Sequence, residues 1–302
     1  MRISYNWLRQ LLPNLSASAR DVAEKLTDVG LELEAHEEFG EGLETLRIAA
    51  VHQVEPHPER ERLQLVTVSV GDRTQTVVCG ANNVPRPGGL VVLAPLGCYL
   101  PAVKLKLEPR KIGGVLSEGM LCSETELGLG AGSDGILVFE AGRFDPGTLF
   151  LEAFPDARDT VFEIGVTPNR PDALGHLGVA RDLAAAYELE FVAPVPTLPG
   201  TSSPIPLAEL ISVENRAPLR CPRYGAGVVL GVVPGPSPEW LRWRLSSLGV
   251  RPISNVVDIT NLVLLEYGNP MHAFDLDRVA GKRIVIREAT AGETIATLDG
   301  SL

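Results

Sequence analysis

Four residues between positions 251 and 272 have side chains suited to hydrolysis. His272 lies in the run GNPMHAFD. An imidazole beside polar groups can accept, donate or orient a water proton near neutral pH, which suits ester cleavage. Thr260 and Asn261 precede it, and a hydroxyl and an amide can hold a substrate or a water. Taken alone, that pair reads as a strand-end cap serving the local backbone, and a lone histidine reads as structural. Arg251 carries a planar fork suited to a phosphate or carboxylate, or to a surface salt bridge.

A second group is cationic. Lys104, Lys106, Arg110 and Lys111 lie on one alternating stretch. The spacing predicts positive charge along one rim of a sheet, where phosphate contacts position a nucleic acid. Glu108 interrupts the run, and a solvated charged face is the plainer reading. Gly113-Gly114 is not a phosphate loop, because the sequence contains no G-x-x-x-x-G-K-[ST]. Cys79, Cys98, Cys122 and Cys221 show no C-x-x-C pairing. They read as free thiols in a reducing cytosol, with no metal site. Asn169, Arg170 and Asp172 in TPNRPD form a loop-and-cap motif. Met120, Cys122 and Ser123 in SEGMLCS are read as packing a barrel.

The elements that must position these groups follow from patterning. Ser4 can cap a short helix with Trp7, Leu8 and Leu11, and Ser18 a second one with Val22, Leu26 and Val29 on one face. LELEAHEEF then alternates as a half-buried strand. LRIAAVHQV, LQLVTVSV, TQTVVC, LVVLAPLG and GILVF predict about five strands over residues 44–140, with Gly71-Asp72 as a hairpin turn. That texture suggests a small barrel such as an OB-fold. ALGHLGVARDLAAAYEL has helical periodicity, and APVPTLPGTSSPIP reads as a linker. CPRYGAGVVLGVVPG looks like a strand. SPEWLRWRLSSLG reads as a helix capped by Ser237, with Pro238 in its first turn and Gly249 ending it. KRIVIREA is a strand, and TIATLDGSL is a strand running into an Asp299-Gly300 hairpin signal with no return strand. The chain is therefore expected to be cut inside a domain.

The totals bound the class. A length of 302 residues allows two or three domains. With 45% hydrophobic and 22% charged residues, the composition is that of an ordinary folded protein. The net charge of −11 excludes nonspecific coating of nucleic acid, so any such contact must be a local patch. No apolar run approaches a membrane span, and the N-terminus lacks a signal-peptide core. A cytoplasmic location is expected.

Longer stretches carry a family resemblance. HPERERLQLVTVSVG, VVCGANNV and KIGGVLSEGMLCSETELGL resemble a tRNA-binding OB domain that several protein families share. ISYNWLRQLLP, TPNRPDALGHLGVARDLAAA and RPISNVVDITNLVLLEYGNPMHAFD, in that order, resemble bacterial phenylalanyl-tRNA synthetase beta subunits. Ser254, Leu262 and Asn269-Pro270-Met271 depart mildly from that family's pattern.

The resemblance implies an α+β multidomain fold: a small helical domain split by an inserted OB-fold barrel, followed by an incomplete editing domain. The expected divisions are 1–39 plus 151–192 for the split domain and 40–150 for the barrel. A linker follows at 193–205, then part of the editing domain at 206–302. His272, Thr260, Asn261 and Arg251 become candidates for a pocket that hydrolyses mischarged tyrosyl-tRNA. Lys104, Lys106, Arg110 and Lys111 become candidates for tRNA contact. The family joins phenylalanine to tRNA(Phe) using ATP and Mg2+, as an α2β2 assembly with the alpha subunit. No cofactor is expected on residues 1–302, and neither DNA nor a membrane is an expected partner. The acidic residue that receives the tyrosine hydroxyl in the family lies beyond residue 302, so weak or absent editing is expected of this chain alone. A stand-alone tRNA-binding module and an inert fragment stay open as alternatives.

Overall fold

Serine caps start the first two helices of the chain. The structure is a computed structural model and describes residues 1–132, 135–196 and 204–296. After strand β1 (Arg2–Ser4), the Ser4 hydroxyl accepts from the Trp7 N–H and starts helix α1 (Tyr5–Leu11). Ser18 and Asp21 form a reciprocal capping box at helix α2 (Ala19–Asp28). Strand β2 (Leu33–Phe39) follows. Strands β3 (Arg47–Pro56), β4 (Gln64–Val70), β5 (Arg73–Cys79) and β6 (Leu90–Pro95) come next. Five short strands succeed them: β7 (Tyr99–Leu100), β8 (Leu105–Lys106), β9 (Arg110–Ile112), β10 (Val115–Ser117) and β11 (Gly119–Leu121). The segment closes with β12 (Val138–Phe139), α3 (Phe150–Ala153), β13 (Asp159–Ile164) and α4 (His176–Ala186). Beyond these lie α5 (Leu207–Leu210), β14 (Ser212–Asn215), α6 (Glu239–Ser247), α7 (Asn255–Tyr267) and β15 (Arg283–Ile286).

Strand β13 lies between β1 and β2 in an antiparallel sheet, with Ile3 opposite Phe162 and Glu37 opposite Val161. Segments on both sides of the intervening strands therefore share one sheet. They also share one core, in which Ile3, Leu8 and Leu26 meet Phe162, Val179 and Leu183.

The intervening strands form a nearly closed barrel in the order β11-β6-β3-β4-β5, with β12 also on β6. Gly71-Asp72 turns β4 into β5, since Val70 faces Arg73 across the loop. Glu118 closes the circle. Its backbone N–H donates to the Thr76 carbonyl at 3.0 Å, its carboxylate accepts from the Thr76 N–H at 3.0 Å, and its carbonyl accepts from the Gln75 amide at 2.8 Å. Strand β6 and the first half of β3 are buried on both faces. Val91 and Leu93 join Val66, Val68 and Val77, while Val92 and Ala94 join Phe150, Phe154 and Trp243. Burial on both faces is why LVVLA reads as an unbroken apolar run.

The chain forms two compact units, residues 1–194 with 235–271, and residues 195–234 with 272–302. Helices α6 and α7 pack within the first unit, held there by Trp243. It is 1% exposed, with its ring 5.0 Å from Phe154 and 5.8 Å from Phe150. It covers apolar barrel surface that would otherwise face water. Glu124 accepts from the Trp243 ring N–H at 3.2 Å and from Arg242 at 2.5 Å, which ties the helix to the barrel.

Two local expectations also change. Ser237 does not cap α6. Pro238 occupies that position, and the buried Ser237 hydroxyl donates instead to Asp258 at 2.6 Å. Residues 221–235 form no strand, and Val229 and Val233 are exposed there. In the second unit, β14 and β15 pair in parallel, with Val213 opposite Ile284. Residues 197–203 of the expected linker and the Asp299-Gly300 turn lie outside the described residues. Among the described residues, no helix is long and apolar enough to cross a membrane.

Candidate nucleic-acid interface

The cationic stretch is not one alternating strand. It divides into two hairpins beside the barrel. In the first, β7 pairs with β8, and a single helical turn at Pro101–Val103 links them. Lys104 then adopts a left-handed conformation, with φ 52° and ψ 39°, its N–H donating to the Pro101 carbonyl at 3.1 Å. In the second, β9 pairs with β10 through Gly113-Gly114, both at positive φ. That turn matches the right-handed twist of a two-residue hairpin. It answers the question the two glycines raised: they turn a chain.

All four predicted cations, Lys104, Lys106, Arg110 and Lys111, are exposed. Tyr99 stands directly across the strands from Lys106 and is 51% exposed. An aromatic face opposite an ammonium group can stack a base while the cation meets a phosphate.

Two further cations were not singled out in the sequence. Arg60 and Arg62 lie in HPERER, where Glu59 and Glu61 alternate with them and cancel the local charge. In the structure a buried histidine heads the loop that carries them. His57 is 5% exposed. Its Nδ1 accepts from the Glu59 N–H at 3.1 Å, and its Nε2 bonds the Ile112 carbonyl at 2.9 Å.

A buried constellation of serine, histidine and aspartate occurs near the N-terminus and is not catalytic. The Ser4 hydroxyl donates to Asp159, not to a histidine, and His176 Nε2 accepts from the Ser4 backbone N–H at 3.0 Å. His176 Nδ1 bonds the Leu265 carbonyl at 2.7 Å, and Trp7 stacks on the ring at 4.1 Å. Burial pushes the His176 imidazole down to about 3 and the Asp159 carboxyl up to about 6, against the hydrogen bonds from Ser4 and Asn6.

The hydrolytic candidates are placed as follows. Thr260 and Asn261 are half-buried in the middle of α7, not at a strand end. The Thr260 hydroxyl donates to the Val257 carbonyl at 2.6 Å, a bond back into its own helix. The correction has a simple cause. In VVDITNLVLL, Asp258, Thr260 and Asn261 divide the stretch into short apolar runs, and periodicity cannot separate helix from strand in runs so short. Arg251 is exposed in the loop before α7. His272 is exposed in the second unit, its ring 4.4 Å from that of Phe274.

These features define a multidomain α+β protein whose barrel bears two basic hairpins. Residues 46–148 match the family described as a putative tRNA binding domain, and residues 220–301 match the B3/4 domain. Along nearly its whole length the chain is similar to phenylalanine–tRNA ligase beta subunits. It is 47% identical over 99% of its length to the beta subunit of Anaeromyxobacter dehalogenans, and 42% identical over 99% to that of Geobacter metallireducens. It spans 37% of the length of each. Among solved structures, a MetRS related protein from Pyrococcus horikoshii matches 34% of this chain and 84% of its own, at 21% identity and a TM-score of 0.24.

Proposed function

We propose that this chain supplies tRNA binding to a phenylalanine–tRNA ligase, as beta-subunit sequence acting with an alpha subunit in an α2β2 cytoplasmic assembly. The observation that carries the reading is the pair of exposed basic hairpins on a barrel matched to a putative tRNA binding domain. The barrel is read as an OB-fold inserted between the two halves of a small helical domain. Phosphate contacts from Lys104, Lys106, Arg110 and Lys111 would set the position of tRNA(Phe) without reading its sequence. The overall charge of −11 keeps that contact local.

Arg251, Thr260, Asn261 and His272 are proposed to contribute to hydrolysis of mischarged tyrosyl-tRNA, because all four lie within the matched B3/4 segment. His272 would act on a water, and the others would hold substrate groups. The described residues do not fit the ATP and magnesium that the assembled ligase would use. They bring no cluster of three acidic, histidine or cysteine side chains together, and the paired glycines form a hairpin turn. Both groups are assigned to the rest of the assembly.

The test is filter binding of tRNA to the purified chain at stepped salt. The reading requires affinity that falls steeply as salt rises. Binding that is absent, or indifferent to salt, refutes it.

A further inference from the structure

We propose that the loop of residues 57–62 and the β9–β10 hairpin form one RNA-backbone-binding surface. In it, Arg60 and Arg62 act with Arg110 and Lys111, and His57 is the positioning residue that assembles them. The inference rests on the RNA-binding reading above and identifies which surface carries it.

His57 is out of character with its loop. Residues 58–62 are all exposed, yet His57 is buried. Its partners fix its tautomer. Nδ1 accepts from the Glu59 N–H, so the proton sits on Nε2 and is donated to the Ile112 carbonyl. One imidazole therefore closes its own loop through Nδ1 and holds the hairpin through Nε2.

The hairpin needs that hold. It has three residue pairs, Ile112 with Val115, Lys111 with Leu116 and Arg110 with Ser117, and so short a ribbon is not stable in isolation. One end is tied to the barrel, where the Ser117 hydroxyl accepts from the Val78 N–H at 3.1 Å and donates to the Gly119 carbonyl at 2.9 Å. The other end is the tip, and His57 secures it. Gly113 makes the contact possible. A Cβ there would lie 2.5 Å from His57 Cε1 and 3.2 Å from Arg60 Cγ. The stem of Arg60 therefore runs against the hairpin tip, which brings cations 50 residues apart in sequence onto one surface.

The charge pattern shows what the surface would take. Among the described residues, none of Arg60, Arg62, Arg110 and Lys111 is ion-paired, although Glu59 and Glu61 are interleaved with two of them. Arg143, Arg158, Arg170 and Arg242 elsewhere in the same unit all hold carboxylates. Four exposed cations without internal partners, on two elements fixed to each other, suit a ligand with regularly spaced anions, the phosphates of RNA.

The experiment is tRNA filter binding with the full 302-residue chain, read as affinity against salt. Arg60→Gln and Arg62→Gln should each lower affinity several-fold and reduce the salt slope by about one. His57→Leu leaves all four charges in place but should lose as much as the Arg60→Gln, Arg110→Gln double variant. His57→Gln, whose amide can reach the Ile112 carbonyl, should restore most of that loss. In the double-variant background, His57→Leu should cost clearly less than it does in the parent, because two of the four groups it positions are gone. The proposal is overturned if tRNA binds the parent chain while Arg60→Gln and Arg62→Gln keep its affinity and slope. An additive His57→Leu effect in the double-variant background overturns the positioning role. Should His57→Leu fail to fold, the two exposed arginine variants decide alone. A parent chain that binds no tRNA at all defeats the RNA reading itself, a result distinct from either of these.

Discussion

The backbone N–H of Ser4 donates to Nε2 of His176 at 3.0 Å, while the hydroxyl of the same serine donates to Asp159. One residue at the start of α1 thus joins β13 to α4. The knot contains two displaced titrations of opposite sense. Burial raises Asp159 to about 6 from an unfolded value near 3.9, and lowers His176 to about 3 from one near 6.5. The raised carboxyl contributes stability that is complete below about pH 3.9 and lost as pH rises through 6. The depressed imidazole contributes stability that is complete above about pH 6.5 and lost as pH falls toward 3. Between about pH 4 and 6 the folded chain holds an extra proton at Asp159 and the unfolded chain one at His176, so their slopes oppose. Asp159→Asn keeps the acceptor for the Asn6 N–H and removes one slope. Its stability relative to the parent should rise by about 1.4 kcal/mol per pH unit from 4 to 6. Urea unfolding at three pH values measures it, and a difference that stays constant with pH would disprove the assignment.

Helix α6 is expected to stabilise the barrel beside which it packs. Trp243 is 1% exposed against Phe150 and Phe154, and truncating a buried tryptophan costs about 3–5 kcal/mol. Trp243→Ala should therefore weaken hydrogen-exchange protection in β3 and β6, which share its core. If protection there is unchanged and only α6 loosens, the helix is an appendage and the unit boundary lies elsewhere.

The features legible in the sequence are the ones written locally. Ser4 and Ser18 announce their helices because a cap and its target are three residues apart. Gly71-Asp72 announces its hairpin in the same way. The features missed are set by partners far along the chain. Ile112 is 55 residues from His57, and His176 is 172 from Ser4. Nothing in SPEWLRWRLSSLG states which apolar surface Trp243 will cover. Arg60 and Arg62 were hidden differently, since the alternating Glu59 and Glu61 remove the net charge by which a basic patch is read. Family resemblance supplied the candidates in α7, but not that Thr260 spends its hydroxyl within its own helix.

Lys104 offers a substitution that separates binding from folding. It holds a left-handed backbone, φ 52° and ψ 39°, which costs a residue with a Cβ about 1 kcal/mol and glycine almost nothing. Lys104→Gly should leave the melting temperature unchanged or slightly raised while removing one exposed charge. If Lys104 meets a phosphate, tRNA affinity falls and the salt slope shrinks by about one. Thermal unfolding and salt-stepped binding on the same preparation test both halves. Unchanged affinity would remove Lys104 from the interface.

Tyr99 should behave in the opposite manner. Its ring is 51% exposed and lies across the strands from Lys106, and burial does not account for keeping an aromatic there. A stacked base contributes about 1–3 kcal/mol by alanine substitution, with no charge involved. Tyr99→Ala should therefore weaken tRNA binding by about five- to a hundred-fold and leave the salt slope as it was. Tyr99→Phe, which keeps the π-face, should bind as the parent does. A slope that changes in Tyr99→Ala would mean that the ring orders the neighbouring lysines and does not touch a base. Equal affinity in all three proteins would confine the interface to the β9–β10 side of the barrel.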